Sequence, residues 1–167
     1  TYGGAADEWG LVIENTLDGN FLYSLGAWSY NPFGMTDEIL LKLDPSGNII
    51  WNKLFGGSSH DGVYGICPTT DGGYAMTGWA WSFGANPSSV FLMKIDSAGN
   101  HLWTKTYDGT GDEYCWTVKQ TADGGYAIGG YTPSFGVPGY NDLFLLKTDG
   151  AGNQQWAKTF PGNNSAS

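Results

Sequence analysis

Hydrophobic and polar residues alternate along this chain in short runs, each closed by a turn residue. In the middle third the runs are VYGICPT (63–69), GYAMTGWAW (73–81), VFLMKID (90–96) and HLWTKTY (101–107). Each is rich in β-branched or aromatic residues and bounded by Gly, Asp, Asn or Pro, which predicts strands. A TDG turn joins the first pair, and SAGN, with Gly99 and Asn100 tolerating positive φ, joins the last pair. No stretch longer than about ten residues carries a helical period. The expectation is an all-β chain.

The pattern repeats. TDGGYAMTGWAWSFG (70–84) returns as ADGGYAIGGYTPSFG (122–136), with a weaker version, LDGNFLYSLGAWSYN, at 17–31. Asp18, Asp71 and Asp123 lie 53 and 52 residues apart, and Trp51, Trp103 and Trp156 keep the same rhythm. So do Lys42, Lys94 and Lys147, and again Lys53, Lys105 and Lys158. A fixed period near 50 residues marks a repeat architecture. Four antiparallel strands per period, with Trp on the last, predict β-propeller blades. The boundaries fall near 5–56, 57–108 and 109–160, with a tail at 161–167. The third strands (ILLKLD, FLMKID, FLLKTD) are apolar on both faces except for the lysine. That suits a strand sandwiched between blades, where an ammonium needs a counter-charge. Two in-register acid sets are available: Asp7, Asp61 and Asp112, or Asp18, Asp71 and Asp123.

The run D-x(4,5)-[IV]-x(2)-T-x-D-G-[GN]-[YF], followed by [IF]-L-[LM]-K-x-D-x(2)-G-N-x(2)-W-x-K-x-[FY], resembles the Asp-Gly-Gly-Tyr propeller repeats of secreted and cell-surface proteins of bacteria and archaea. The likeness covers residues 1 to 160. It implies four-stranded blades and an extracellular setting, and says little about activity. The D-x(2)-G-N-x(2)-W part is also similar to quinoprotein dehydrogenase blades, whose cofactor-binding residues have no match here.

Propellers close with four to eight blades, and this chain offers three. Its opening TYGG is in register with LFGG (54–57) and TYDG (106–109), so the chain is expected to begin inside a repeat. Both end blades should then present an apolar face. Two chains could form a six-bladed ring, the repeat could belong to a longer array, or units could add head to tail as a filament.

Composition narrows the function. The chain has seven lysines, no arginine and 16 acidic residues, for a net charge of −9. That excludes a nucleic-acid binder, which needs a basic face, and removes bidentate clamps for phosphate or carboxylate. Sialidase-type chemistry, which relies on an arginine cluster, goes with them. No run is long and apolar enough for a helical membrane span. Cys67 and Cys115 occupy non-matching repeat positions and are either two buried thiols or one disulfide. His60 and His101 lack metal-ligand companions and are each expected to be a solvated loop or strand-edge residue. The Asp-Gly-Asn turns lack the spacing of a calcium loop, so no metal or cofactor is expected.

Antiparallel connectivity puts the short turns at one end of each blade and the longer loops at the other. The long-loop end gathers aromatic candidates for ligand contact (Trp28, Tyr30, Phe33, Trp81, Phe83, Tyr131, Phe135, Tyr140) and carboxylates (Asp37, Asp61, Asp112, Asp142). Aromatic plates beside carboxylates suit a sugar ring and its hydroxyls, or a cationic protein surface. Tyr30, Phe83 and Phe135 recur in register, so inter-blade packing also accounts for them. Adjacent acids point to opposite faces of a strand and make no catalytic dyad. The expectation is a non-enzymatic secreted or surface module that binds glycan or protein by its long-loop end. A self-assembling structural subunit is the alternative, and a glycoside-acting enzyme the remaining one.

Overall fold

A computed structural model of the chain describes residues 7–27, 37–82, 89–107, 109, 111–134 and 141–160. Twelve strands fill them: β1 (Glu8–Asn15), β2 (Phe21–Ala27), β3 (Asp37–Leu43), β4 (Ile49–Phe55), β5 (Asp61–Pro68), β6 (Tyr74–Ala80), β7 (Ser89–Ile95), β8 (His101–Tyr107), β9 (Tyr114–Gln120), β10 (Tyr126–Thr132), β11 (Asp142–Thr148) and β12 (Gln154–Phe160). No helix occurs among the described residues. The strands form three four-stranded sheets, β1–β4, β5–β8 and β9–β12, each antiparallel and in chain order. The all-β repeat expected from the sequence is therefore present, as blade-like sheets that do not close into a ring.

The short turns are closed by bonds among their own residues. In Thr69–Gly73 the Thr69 amide donates to the Gly73 carbonyl at 2.9 Å and the Gly72 amide donates to the Thr69 carbonyl at 2.8 Å. Gly72 takes φ +82°, where a side chain would be strained. The second glycine is there for room: a Cβ at Gly73 would lie 2.4 Å from the Ile95 carbonyl oxygen and 2.5 Å from Lys94 Nζ. Gly125 stands equally close to Thr148 O and Lys147 Nζ. The other short turn is held by its own aspartate. Asp44 Oδ1 accepts from the Ser46 and Asn48 amides at 2.9 and 2.8 Å, and Asn48 Nδ2 donates to Oδ2 at 2.8 Å. Asp96 and Asp149 repeat this network.

Period-two alternation gives every sheet two faces. One carries the buried lysine and is here termed the lysine face; the other carries the motif tyrosine and is termed the tyrosine face. Leu22, Leu40, Trp51 and Phe55 on the lysine face of the first sheet pack against Tyr74, Met76, Phe91, Met93 and Ile95 on the tyrosine face of the second. The second sheet repeats the contact with the third: Cys67, Ala75, Val90, Leu92 and Trp103 meet Tyr126, Ile128, Leu146 and Phe144. At each interface the tryptophan meets the next tyrosine edge to face, Trp51 to Tyr74 at 6.5 Å and Trp103 to Tyr126 at 6.1 Å. These two cores hold the molecule together, and β7, with neighbours on both sides, is buried along its whole length.

The lysines settle which acids they use. Lys42, Lys94 and Lys147 pair with Asp18, Asp71 and Asp123 at 2.6, 3.0 and 2.9 Å, not with the Asp7, Asp61 and Asp112 set. The Asp-Gly turn lies beside its own third strand, which brings those carboxylates within reach. Cys67 and Cys115 are free, buried thiols on adjacent sheets. Burial raises the pKa of both.

Candidate functional site

At the long-loop end, the first two strands of each sheet carry an aromatic ring at one cross-strand position. Trp9 pairs with Gly26, Trp79 with Gly62, and Tyr114 with Tyr131. The glycines make room for the indoles. A Cβ at Gly26 would lie 2.6 Å from the Trp9 ring, and one at Gly62 would lie 3.1 Å from Trp79 Nε1. Further rings follow two residues along the chain: Trp81, just past β6, after Trp79, and Trp116, at the register shift in β9, after Tyr114.

The rings form a continuous row across the second and third sheets. His60 meets Trp81 at 5.8 Å, Trp81 meets Trp79 at 5.9 Å, and Trp79 meets Tyr114 at 6.3 Å. Tyr114 stacks on Tyr131 at 5.0 Å, and Trp116 completes the row at 4.9 Å from Tyr131. Trp116 at one end and Trp81, next to His60 at the other, are each 50% exposed. His60, a partly exposed residue at the edge of β5, packs edge-on against Trp81, and its backbone carbonyl accepts from the Trp81 amide at 3.0 Å.

The carboxylates nearby divide into scaffold and surface. Asp61 is buried, and its Oδ1 accepts from the Trp81 and Ser82 amides, both at 3.1 Å. Burial raises its pKa against the lowering effect of the Ser82 and Trp81 bonds. Asp61 thus fixes the backbone from which Trp81 projects. Glu113 is buried too; it accepts from the Gly109 amide at 3.1 Å, from Thr132 Oγ1 at 3.3 Å and from the Ser134 hydroxyl. Glu38 accepts from the Val63 amide at 3.1 Å and Ser24 Oγ at 2.9 Å, tying the first sheet to the second. Asp142 is buried at the start of β11. Asp112 is exposed beside the row. With burial and Tyr114, its charge raises the Tyr131 pKa.

Of the ligand-contact residues expected from sequence, Trp81, Tyr131 and Asp112 therefore come together. Asp61 and Asp142 lie inside, and Asp37 opens β3. Trp28, Tyr30, Phe33, Phe83, Phe135 and Tyr140 lie outside the described residues. Trp9, Trp79, Tyr114 and Trp116 were missed. The available signal was an aromatic spacing of i, i+2 at strand ends, in WAW (79–81) and YCW (114–116). An apolar cleft of about 340 Å³ between the second and third sheets is lined by Val90, Phe144, Leu146 and Thr159, with Glu113 and Thr132 among its polar groups. It is a gap in inter-sheet packing whose carboxylate is already hydrogen-bonded. No group of three His, Cys, Asp or Glu able to hold a metal occurs among the described residues.

No protein-family model matches the chain, and no curated protein matches it in sequence.

Proposed function

We propose that this chain is a non-enzymatic, extracellular propeller-type module of the Asp-Gly-Gly-Tyr kind, and that it binds carbohydrate along the aromatic row at its long-loop end. The row itself carries this reading: six side chains in unbroken ring contact, with a half-exposed indole at or next to each end. Flat apolar rings accept the C–H face of a sugar, and Asp112 offers an acceptor for hydroxyls beside them. The scaffold carboxylates Glu38, Asp61 and Glu113 hold backbone amides and hydroxyls, which is positioning work.

Affinity electrophoresis against a panel of soluble neutral polysaccharides tests the proposal. At least one should retard the chain. Trp81→Ala and Trp116→Ala, both at exposed positions, should each weaken binding about fivefold, from loss of roughly 1 kcal/mol of ring contact. A panel with no retardation, or variants that bind like the parent, overturns it. Binding to polylysine instead, abolished by salt, would mark a cationic protein surface as the ligand.

A further inference from the structure

Several equivalent positions at the rims of the outer faces differ sharply in exposure between the three sheets. On the lysine face, Val90 of the second sheet is 1% exposed, while Leu143 in the same register of the third is 63% exposed. On the tyrosine face, Ile66 and Val118 are 2% and 1% exposed, while Ile13 of the first sheet is 58% exposed. Leu54 on that face is 51% exposed, although Ile39 and Leu41 at its centre are buried at 3% and 4%, and Trp156 and Phe160 on the third sheet's lysine face are 40% and 50% exposed. The open faces are of opposite kind. Each internal interface joins a lysine face to a tyrosine face, and one of each remains.

We infer that the lysine face of the third sheet docks on the tyrosine face of the first sheet in a second copy of this chain, repeating the internal contact. The seat for it is identifiable. At both internal interfaces the tryptophan and the lysine two residues on lie against the Asp-x-x-Gly-Asn turn of the next sheet. A Cβ at Gly99 would meet the Trp51 ring at 3.1 Å and Lys53 Cγ at 2.9 Å, and one at Gly152 would meet Trp103 at 2.8 Å and Lys105 Cγ at 2.9 Å. The turn also anchors them: Trp51 Nε1 donates to the Ser97 carbonyl at 3.2 Å and Lys53 Nζ donates to Asn100 Oδ1 at 3.4 Å. Gly47, in the matching turn of the first sheet, has no described atom within 4 Å of its Cβ position. Trp156 and Lys158 stand in the matching register of the third sheet, the ammonium 5.5 Å from the centre of the indole ring. Docked in register, they reach Gly47, and Lys158 faces the acidic Asp44 turn. The contact is heterologous, so copies close into a ring where the rotation allows and otherwise continue head to tail.

The internal contact also supplies the test. Val90 and Thr159 line one cleft across the interface of the second and third sheets. Their register equivalents on the open faces are Leu143 and Leu54, so these two should face each other across the docked copies. Sedimentation velocity of the 167-residue chain over a dilution series should show particles of two or more copies. Leu143→Lys alone and Leu54→Glu alone should each weaken association by about tenfold or more, because an unpaired charge would enter an apolar interface. The Leu143→Lys/Leu54→Glu chain should recover it, with lysine of one copy facing glutamate of the next. Circular dichroism should report unchanged strand content, since both positions are exposed. A parent that sediments as one chain throughout, single variants that associate like the parent, or a double variant that stays apart each overturns the pairing. None of these results depends on polysaccharide binding.

Discussion

Asp71→Asn should destabilise the chain more than Lys94→Met does, although both break the same ion pair. The two partners sit in different media: the Lys94 side chain is 5% exposed and that of Asp71 is 59% exposed. At their 3.0 Å separation the attraction is about 5.5 kcal/mol for an effective dielectric near 20 and about 1.4 kcal/mol in bulk water. With one partner half in solvent, a net coupling of about 1–2 kcal/mol is expected. Asp71→Asn leaves a buried ammonium with the Ile95 carbonyl at 3.0 Å as its remaining strong acceptor. Its cost should be about 2 kcal/mol. Lys94→Met removes the buried charge and leaves Asp71 solvated, accepting from the Thr69 hydroxyl at 2.5 Å and the Gly73 amide at 3.0 Å. Its cost should stay below about 1 kcal/mol, as charge replaced by matched apolar volume usually does. The double variant should resemble Lys94→Met. Urea denaturation followed by tryptophan fluorescence measures all four corners of the cycle, with unchanged slopes confirming a common unfolding reaction. The reasoning fails if Lys94→Met costs as much as Asp71→Asn, or if the two costs simply add.

Other outcomes follow from the same geometry. Gly125→Ala should cost more than about 2 kcal/mol in the same assay, because its Cβ would lie 2.1 Å from the Thr148 carbonyl oxygen. A midpoint unchanged by this substitution would refute the crowding argument. Leu92→Ala, at a fully buried position between two sheets, should cost about 2–5 kcal/mol by the same measurement. Stability should also fall in acid. The Lys42 and Thr16 bonds lower the Asp18 pKa, and the Thr121 and Lys147 bonds lower that of Asp123. At Asp71 burial raises the pKa, but bonds from Thr69 and Lys94 outweigh it and bring it down to about 2. Depressed carboxylate pKa values give stability that is complete above the unfolded value near 4 and lost as pH falls through the folded values. The melting temperature should therefore hold down to about pH 4 and drop towards pH 2, and a flat profile across that range would contradict the pairing. Finally, Cys67 and Cys115 should resist a thiol reagent until the chain is unfolded; fast labelling of the native protein would show that the interface between the second and third sheets opens.

The order of strands, the turn chemistry and the repeat were legible in the sequence because each is local. Gly72 at positive φ, the Asp44–Asn48 turn and the alternating runs of β5 to β8 depend on residues within a few positions of one another. Contacts between repeats were legible only in part. A lysine in every third strand announced a buried charge, but two acid sets fitted the spacing, and packing of the Asp-Gly turn beside its own third strand selected Asp18, Asp71 and Asp123. The second glycine of the motif reads as the start of a strand run (73–81), yet it is needed because Lys94 Nζ and the Ile95 carbonyl occupy the space of a side chain. The aromatic row stayed hidden for the same reason. Trp79 and Tyr114 belong to different repeats, and their 6.3 Å contact exists only once the sheets stack.

Sequence alone determined that this protein is a series of equivalent four-stranded sheets, since backbone propensity and period-two patterning act along the chain. Tertiary structure decided which of its acids hold charge pairs, which hold loops, and which faces are covered. Those outcomes rest on distances between residues some twenty to fifty positions apart, and a linear pattern carries no direct record of them.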